Sequence, residues 1–205
     1  MRVEIGPLQT TDVEAAARLH ELAFPTFFLS SLGQPFLRQF YRGFLADPTA
    51  VAVVARDGSG MILGTVVGTT EPDGYFSRLL RRQVVGFVNA SVRASLRSPR
   101  AVPRLLRAAR YRGSADEGVD GALLSSICVS PDAQGAGVGR RLVAAWEQRA
   151  AGLGARAAYL STDAVDNEPV NAFYQRCGWR MGAPYTTAEG RTMNLYTKEL
   201  DPSSC

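Results

Sequence analysis

The 205-residue sequence predicts an α/β (α+β) fold, with antiparallel hairpins at both ends and a βαβ unit between them. Three observations carry this expectation. Two apolar runs, 50–56 and 61–69, flank Asp57-Gly58-Ser59-Gly60, which is hairpin turn chemistry. A second pair of strand-like runs, 180–184 and 192–200, flanks Ala188-Glu189-Gly190. Between the hairpins, an apolar strand, a glycine-rich turn, a helical pattern and a further strand follow one another over 122–161.

Taken in order, residues 3–8 alternate in character and form a short first strand. Thr10-Thr11-Asp12 supplies N-cap chemistry for a helix whose apolar positions are Val13, Ala16, Ala17, Leu19 and Phe24, and Pro25 ends it. A second helix spans 34–46, because Phe36, Leu37, Phe40, Tyr41 and Phe44 recur at the spacing of one helix face. The first hairpin follows, closed by Glu71-Pro72-Asp73-Gly74. Residues 75–112 read as helical but weakly patterned, broken by Pro99 and Pro103, and 115–121 reads as a loop. A strand at 122–129, a turn at 131–137 and a helix at 138–151 come next, with Leu142, Val143 and Trp146 on one helix side. A strand at 157–161, a helix at 169–176 and the last hairpin complete one domain over 1–205. The chain has no internal repeat.

Composition narrows the function classes. An apolar fraction of 46% and a charged fraction of 20% are those of a soluble globular chain. No apolar run approaches the roughly 20 residues needed to span a bilayer. The N-terminus lacks the pattern of a secretory signal, so a cytoplasmic location is expected. Cys128, Cys177 and Cys205 are widely spaced and His20 is the sole histidine, so no metal site is expected. The net charge of +4 is carried almost wholly by arginine, Lys198 being the single lysine. Between Gly74 and Gly113 there are ten arginines and no acid. Such a block could meet nucleic acid, an anionic membrane surface or a phosphorylated substrate, or be simply a solvated helix face, nucleic acid being the weaker of these partners.

The most informative stretch runs from Leu123 to Leu142. Its strand enters Gln134-Gly135-Ala136-Gly137-Val138-Gly139, within which a helix begins. Minimal side chains there let consecutive backbone N–H groups close on an anion, and the helix N-terminus adds positive potential. Arg140 and Arg141 oppose the helix-dipole preference for acids, a cost that an anion nearby would offset. The dinucleotide fingerprint is not met: Arg140 stands where its third glycine belongs, and five residues separate Val129 from Gly135. A Walker loop is absent. A structural glycine turn with no ligand is the competing reading.

At this point the chain resembles the GNAT acetyltransferase superfamily. Its signature, (R/Q)-x-x-G-x-(G/A) after an aliphatic strand end, reads here Gln134-Gly135-Ala136-Gly137-Val138-Gly139. The second element, N-x-x-A-x-x-F-Y-x-x-x-G-(F/W), reads Asn167-Glu168-Pro169-Val170-Asn171-Ala172-Phe173-Tyr174-Gln175-Arg176-Cys177-Gly178-Trp179, with Val170 the one departure. The resemblance is clear over 120–200, holds only in element order over 1–70, and makes 75–118 an arginine-rich helical insertion between strands 3 and 4. It implies a mixed, mostly antiparallel sheet of about seven strands flanked by helices.

The resemblance further implies acetyl-CoA as cosubstrate and N-acyl transfer as the reaction. Ile127, Cys128 and Val129, on a strand that splays from its neighbour, would pair with the pantetheine chain. Gln134, Gly135, Ala136, Gly137, Val138, Gly139 and Arg140 would hold the pyrophosphate. Asn167 would touch the pantetheine arm, or serve only as an N-cap. Tyr174 would protonate the leaving thiolate, or be only a core aromatic beside Phe173. Cys128, inside an apolar strand, reads as inert packing and not as a nucleophile. The family's usual glutamate base falls on Leu123. Ser125, expected to share that strand face, together with Glu71, Asp73, Asp163 and His20, are the remaining candidates. His20 reads as a partly exposed helix residue. The amine would enter between residues 24–29 and Tyr185-Thr186-Thr187. The acceptor expected is a small-molecule primary amine, including an amino sugar bearing a nucleotide diphosphate. The alternatives are a protein N-terminus or lysine, or a non-catalytic acyl-CoA-binding module. A homodimer is compatible with the sequence.

Overall fold

The computed structural model describes residues 2–25, 27–82, 119–187 and 190–201. Its elements are β1 (Val3–Pro7), α1 (Val13–Ala23), α2 (Phe28–Ser31), α3 (Gln34–Ala46), β2 (Ala50–Asp57), β3 (Ile62–Thr69), α4 (Tyr75–Arg82), β4 (Ala122–Val129), α5 (Val138–Gly152), β5 (Ala157–Asp163), α6 (Glu168–Arg176), β6 (Arg180–Thr186) and β7 (Thr192–Glu199). Among the described residues the strands form one seven-stranded sheet in the order β1-β2-β3-β4-β5-β7-β6. Every neighbouring pair is antiparallel except β4 and β5. The mixed, mostly antiparallel sheet is thus the architecture expected.

Helices cover both faces, which explains why β2 and β3 are apolar throughout instead of alternating. Val53 and Val66 lie in one core with Leu142, Val143 and Trp146 of α5. Their neighbours Val54 and Val67 lie in the other, with Phe36, Leu37, Phe40, Tyr41 and Phe44 of α3 and Ala16 and Ala17 of α1. Each fully buried side chain of this size contributes about 1.5–3 kcal/mol. The α3 stripe therefore faces the core as its spacing predicts, and Pro35 sits in the first turn, where its missing N–H is not needed.

The first hairpin turns where expected. The Asp57 carboxylate accepts from Ser59 N–H, Ser59 Oγ and Met61 N–H, which rigidifies the turn. Two strands run further than their sequence suggests: β5 continues to Asp163 and β6 to Thr186. Ser161, Thr162 and Asp163 are polar, yet the ladder to Leu195, Asn194 and Met193 holds them. The short α2 has no counterpart in the sequence reading. Of the helical stretch expected over 75–112, α4 is its beginning; the pieces after residue 82, and the loop up to 118, lie outside the described residues.

One irregularity positions everything near the centre. Val67 pairs with Ser126 but Gly68 pairs with Leu124, so Ser125 is an extra residue, a β-bulge in β4. The bulge shifts the alternation: Ala122 and Leu124 face the α5 core before it, Ile127 and Val129 after it. Strict alternation through Ser125 therefore does not hold, so the face expected for it beside Leu123 does not follow from spacing alone. Gly68 lies opposite. A Cβ there would sit 2.2 Å from the Leu123 carbonyl oxygen and 2.6 Å from the Trp146 ring, so glycine is required by close approach.

Candidate active site

β4 and β5 pair only at Ala122↔Ala158 and Leu123↔Tyr159, after which they part. Beyond that point Ile127, Cys128 and Val129 remain bonded to β3, opposite Val66, Thr65 and Gly64, while their other side has no strand among the described residues. The splay expected of this strand is present. The Cys128 thiol points to the α3 side, 3.8 Å from the Tyr41 hydroxyl, and burial pushes it up to about 12. A thiol so buried and so protonated is packing, as expected.

After β4 the chain makes a single turn of 3-10 helix (Pro131–Ala133), and Ser130 N–H bonds to the Leu63 carbonyl at 2.8 Å. Gly135 and Gly137 then adopt φ of +77° and +75°, a region that L side chains disfavour. Gly137 is the N-cap of α5. The N–H groups of Gly135, Gly137, Val138, Gly139 and Arg140 meet no acceptor among the described residues. The Ala136 amide differs: it turns back to the Ala133 carbonyl at 3.4 Å, and is not part of that set. The Gln134 amide likewise bonds to Pro131, leaving its exposed side chain outward. A Cβ on Gly135 or Gly137 would meet nothing within 4 Å, so the space over the turn is open. Val138 anchors the helix start in the core. Arg141 donates to the Val3 carbonyl of β1 at 2.8 Å, which explains its place in the first turn without an anion. Arg140 is exposed and forms no ion pair among the described residues.

Asn167 occupies the N-cap position of α6 but does not cap it. Its side-chain NH₂ donates instead to Thr162 Oγ1 (2.8 Å) and to the Asp163 carbonyl (3.0 Å), leaving the carboxamide oxygen unpaired among the described residues. The capping role is thereby corrected. Tyr174 is 5% exposed, with its ring against Phe173, Tyr196 and Trp179. Burial, with smaller contributions from Cys177 and Tyr196, raises its hydroxyl well above the ordinary tyrosine range. That hydroxyl makes no hydrogen bond among the described residues, so the side chain is at once a core aromatic and an unspent donor.

The base candidates sort by environment. His20 is 3% exposed, not partly exposed as expected; Phe24, Phe40 and Tyr41 surround it, and Nδ1 lies 3.1 Å from the Tyr41 hydroxyl. Burial holds it down to about 4, which makes it a poor proton acceptor. Asp163 is gripped by Arg191, whose Nη2 lies 2.7 Å from each carboxylate oxygen. Glu71 and Asp73 are exposed in the loop after β3. Arg191 also stands over the Phe27 ring, 5.7 Å from its centroid. One arginine therefore links the α1–α2 connection, the end of β5 and the start of β7. Neither it nor Asn171, which bonds to β5, β7 and α6, was singled out in the sequence. The i, i+4 spacing of Asn171 from Asn167 was the available signal.

The comparisons with known proteins agree with this geometry. The Acetyltransferase (GNAT) family profile matches residues 16–179. A protein assigned to the GNAT acetyltransferases from Desulfovibrio desulfuricans aligns with a TM-score of 0.64 at 16% identity, covering 98% of this chain and 100% of that one. A phosphinothricin acetyltransferase from Sinorhizobium meliloti, solved in complex with AcCoA, aligns at 0.62 and 13% identity, covering 98% and 89%. An N-acetyltransferase acting on a ribosomal-protein alanine, from Escherichia coli, aligns at 0.57 and 15% identity, covering 98% and 95%. A search of curated proteins returned no match. Such identities speak for the fold alone; the profile spans most of the sequence, and the chain belongs to the GNAT family of acetyltransferases.

Proposed function

We propose that the protein transfers the acetyl group of acetyl-CoA to a primary amine of a small molecule, by direct attack of the amine on the thioester. The observation that carries this reading is the set of unspent amides at Gly135, Gly137, Val138, Gly139 and Arg140, facing open space at a helix N-terminus. Aligned donors and the helix dipole suit a diphosphate, and Arg140 and Gln134 add a cation and a carboxamide. From that turn the free side of Ile127, Cys128 and Val129 leads into the cleft between β4 and β5, and pantetheine amides would complete the strand's hydrogen bonding. Asn167 would contribute its unpaired carboxamide oxygen.

In the reaction the neutral amine nitrogen bonds to the acetyl carbon, the C–S bond breaks and the thiolate leaves, while the nitrogen gives up one proton to solvent, from which Tyr174 is reprotonated after its own donation. Tyr174 stays protonated at neutral pH and carries a hydroxyl with no partner among the described residues, so it can donate to the sulfur as charge develops. The acceptor would enter beside Phe27 and Arg191, where Asp163 is already neutralised by Arg191. That neutralised mouth suits a small amine better than a strongly cationic peptide. The arginines between Gly74 and Gly113 suit an amino sugar that carries a diphosphate.

The test is CoA-thiol release from acetyl-CoA against nucleotide amino sugars, other small amines, polyamines and peptides. Release with small amines is expected. Release with peptides alone would move the assignment to a protein acceptor. Binding of acetyl-CoA with no release for any amine would make the chain a non-catalytic module.

A further inference from the structure

Four hydrogen bonds converge on one side chain that the family motif leaves unspecified. The Asn171 NH₂ group donates to the Asp163 carbonyl (3.2 Å) and to the Asn167 carbonyl (2.9 Å). Its Oδ1 accepts from Asn194 Nδ2 (3.0 Å) and from the Tyr196 hydroxyl (2.9 Å). A carboxamide has two donors and two acceptor sites, and here all four are used. The residue thus joins the end of β5, the first turn of α6 and the middle of β7.

Asn171 precedes Tyr174 by three positions, so both lie on the same side of α6. The tip of Tyr174 is held by nothing, since its hydroxyl has no partner among the described residues. Its ring is placed by packing alone, and one of its walls is Tyr196, at a centroid distance of 5.6 Å. Tyr196 is itself fixed through its hydroxyl, by Asn171. Asn171 therefore sets both the seat of the helix that carries Tyr174 and the aromatic surface against which that ring rests.

We infer that Asn171 is a positioning residue of the acetyl-transfer site, acting through the placement of the Tyr174 hydroxyl. This rests on the reading of Tyr174 as the proton donor. An error of about 1 Å in a catalytic group costs on the order of 100-fold in rate, so a device that locates an otherwise unanchored hydroxyl has an effect out of proportion to its stability.

The experiment has two arms. In the first, protein carrying 3-fluorotyrosine is observed by fluorine NMR, and the resonance missing from Tyr174→Phe identifies Tyr174 among the seven tyrosines. Asn171→Leu, close in volume but without hydrogen bonds, should shift or broaden that resonance; an unchanged resonance overturns the inference. In the second, kcat with acetyl-CoA and the best amine of the panel is compared in wild-type and Tyr174→Phe backgrounds. Asn171→Leu should lower kcat at least tenfold in the wild-type background and less than twofold in the other. Equal losses in both backgrounds mean a merely structural residue and refute the inference. Tyr196→Phe removes a single hydroxyl and should show the same dependence on background at smaller size, which covers the case that Asn171→Leu does not fold. Full turnover by Tyr174→Phe alone defeats the assignment of Tyr174 and not the placement argument, which the first arm reads separately.

Discussion

A substitution at Gly137 separates a ligand-holding turn from a merely structural one. Gly137 has φ of +75° and open space where a Cβ would point. Alanine there fits sterically in the free protein and costs only the left-handed backbone penalty, about 1–2 kcal/mol. For a chain of this length that corresponds to a fall in Tm of about 2–8 °C. Gly154 provides the matched control: its φ is +93°, nothing lies within 4 Å, and it follows the C-terminal end of α5, about 25 Å from Gly137. Gly154→Ala should lose the same stability. The two must diverge in CoA binding, because only at Gly137 would the new methyl group stand in the space the diphosphate oxygens require. Measured by isothermal titration calorimetry, Gly137→Ala should weaken CoA at least tenfold, about 1.4 kcal/mol, while Gly154→Ala leaves Kd unchanged. If both variants bind CoA as tightly as the wild type, the unspent amides are not the diphosphate site.

Three further outcomes are expected. Tyr174→Phe should lower kcat about 100-fold or more while leaving the Kd for CoA within a few-fold, as measured by steady-state thiol release and calorimetry. His20 is buried neutral with its pKa down at about 4, against about 6.5 when unfolded, so the unfolded chain binds the extra proton between these values. Its contribution is intact above pH 6.5 and is lost as pH falls toward 4, about 3 kcal/mol in all; His20→Phe should flatten that limb in urea titrations at pH 7, 6 and 5. Gly68→Ala should destabilise by about 3 kcal/mol or more, since its Cβ meets backbone at 2.2 Å and cannot be relieved by a rotamer; chemical denaturation reads this directly.

What the sequence made legible was whatever a local rule encodes. Asp57-Gly58-Ser59-Gly60 forms its turn through the Asp57 carboxylate, a contact contained within five residues. The α3 stripe from Phe36 to Phe44 is a periodicity, and it packs as one face. Gly135 and Gly137 of the turn before α5 adopt positive φ, which their residue type announces. Features set by distant partners stayed hidden. The extra residue at Ser125 has no pattern of its own; it shows only in the register against Val67 and Gly68 of β3. His20 lies on a helix that also exposes Leu22, and its burial is decided by Tyr41 on another element. Asn167 has the residue type of a cap, yet its NH₂ is held by Thr162 Oγ1 and the Asp163 carbonyl, and its oxygen does not accept from the helix N–H groups. Arg191 and Asn171 draw their meaning from residues 28 and 23 positions away, respectively.

The weak junction between β4 and β5 also separates the glycine turn from Tyr174. The glycine turn belongs to α5, which packs on β1, β2, β3 and β4, whereas Tyr174 belongs to α6, which packs on β6. Two residue pairs of parallel ladder are little to hold the glycine turn and Tyr174 in register across a cleft. Side chains supply the rest. Glu147 of α5 accepts from Lys198 of β7 at 2.7 Å with one oxygen and from Trp179 Nε1 at 2.8 Å with the other. Lys198 also donates to the Cys177 carbonyl just past α6, at 2.8 Å. Both charges of this pair are largely buried, so losing one partner would strand the other at a cost of about 3–5 kcal/mol, unlike an exposed bridge. Near the turn the bare Cα of Gly139 lets α5 approach the Phe173 ring, where an added Cβ would come within 3.3 Å. Lys198, through Glu147 in the second half of α5, and Gly139, in its first turn, therefore both hold α5 against the β7 and α6 side of the cleft.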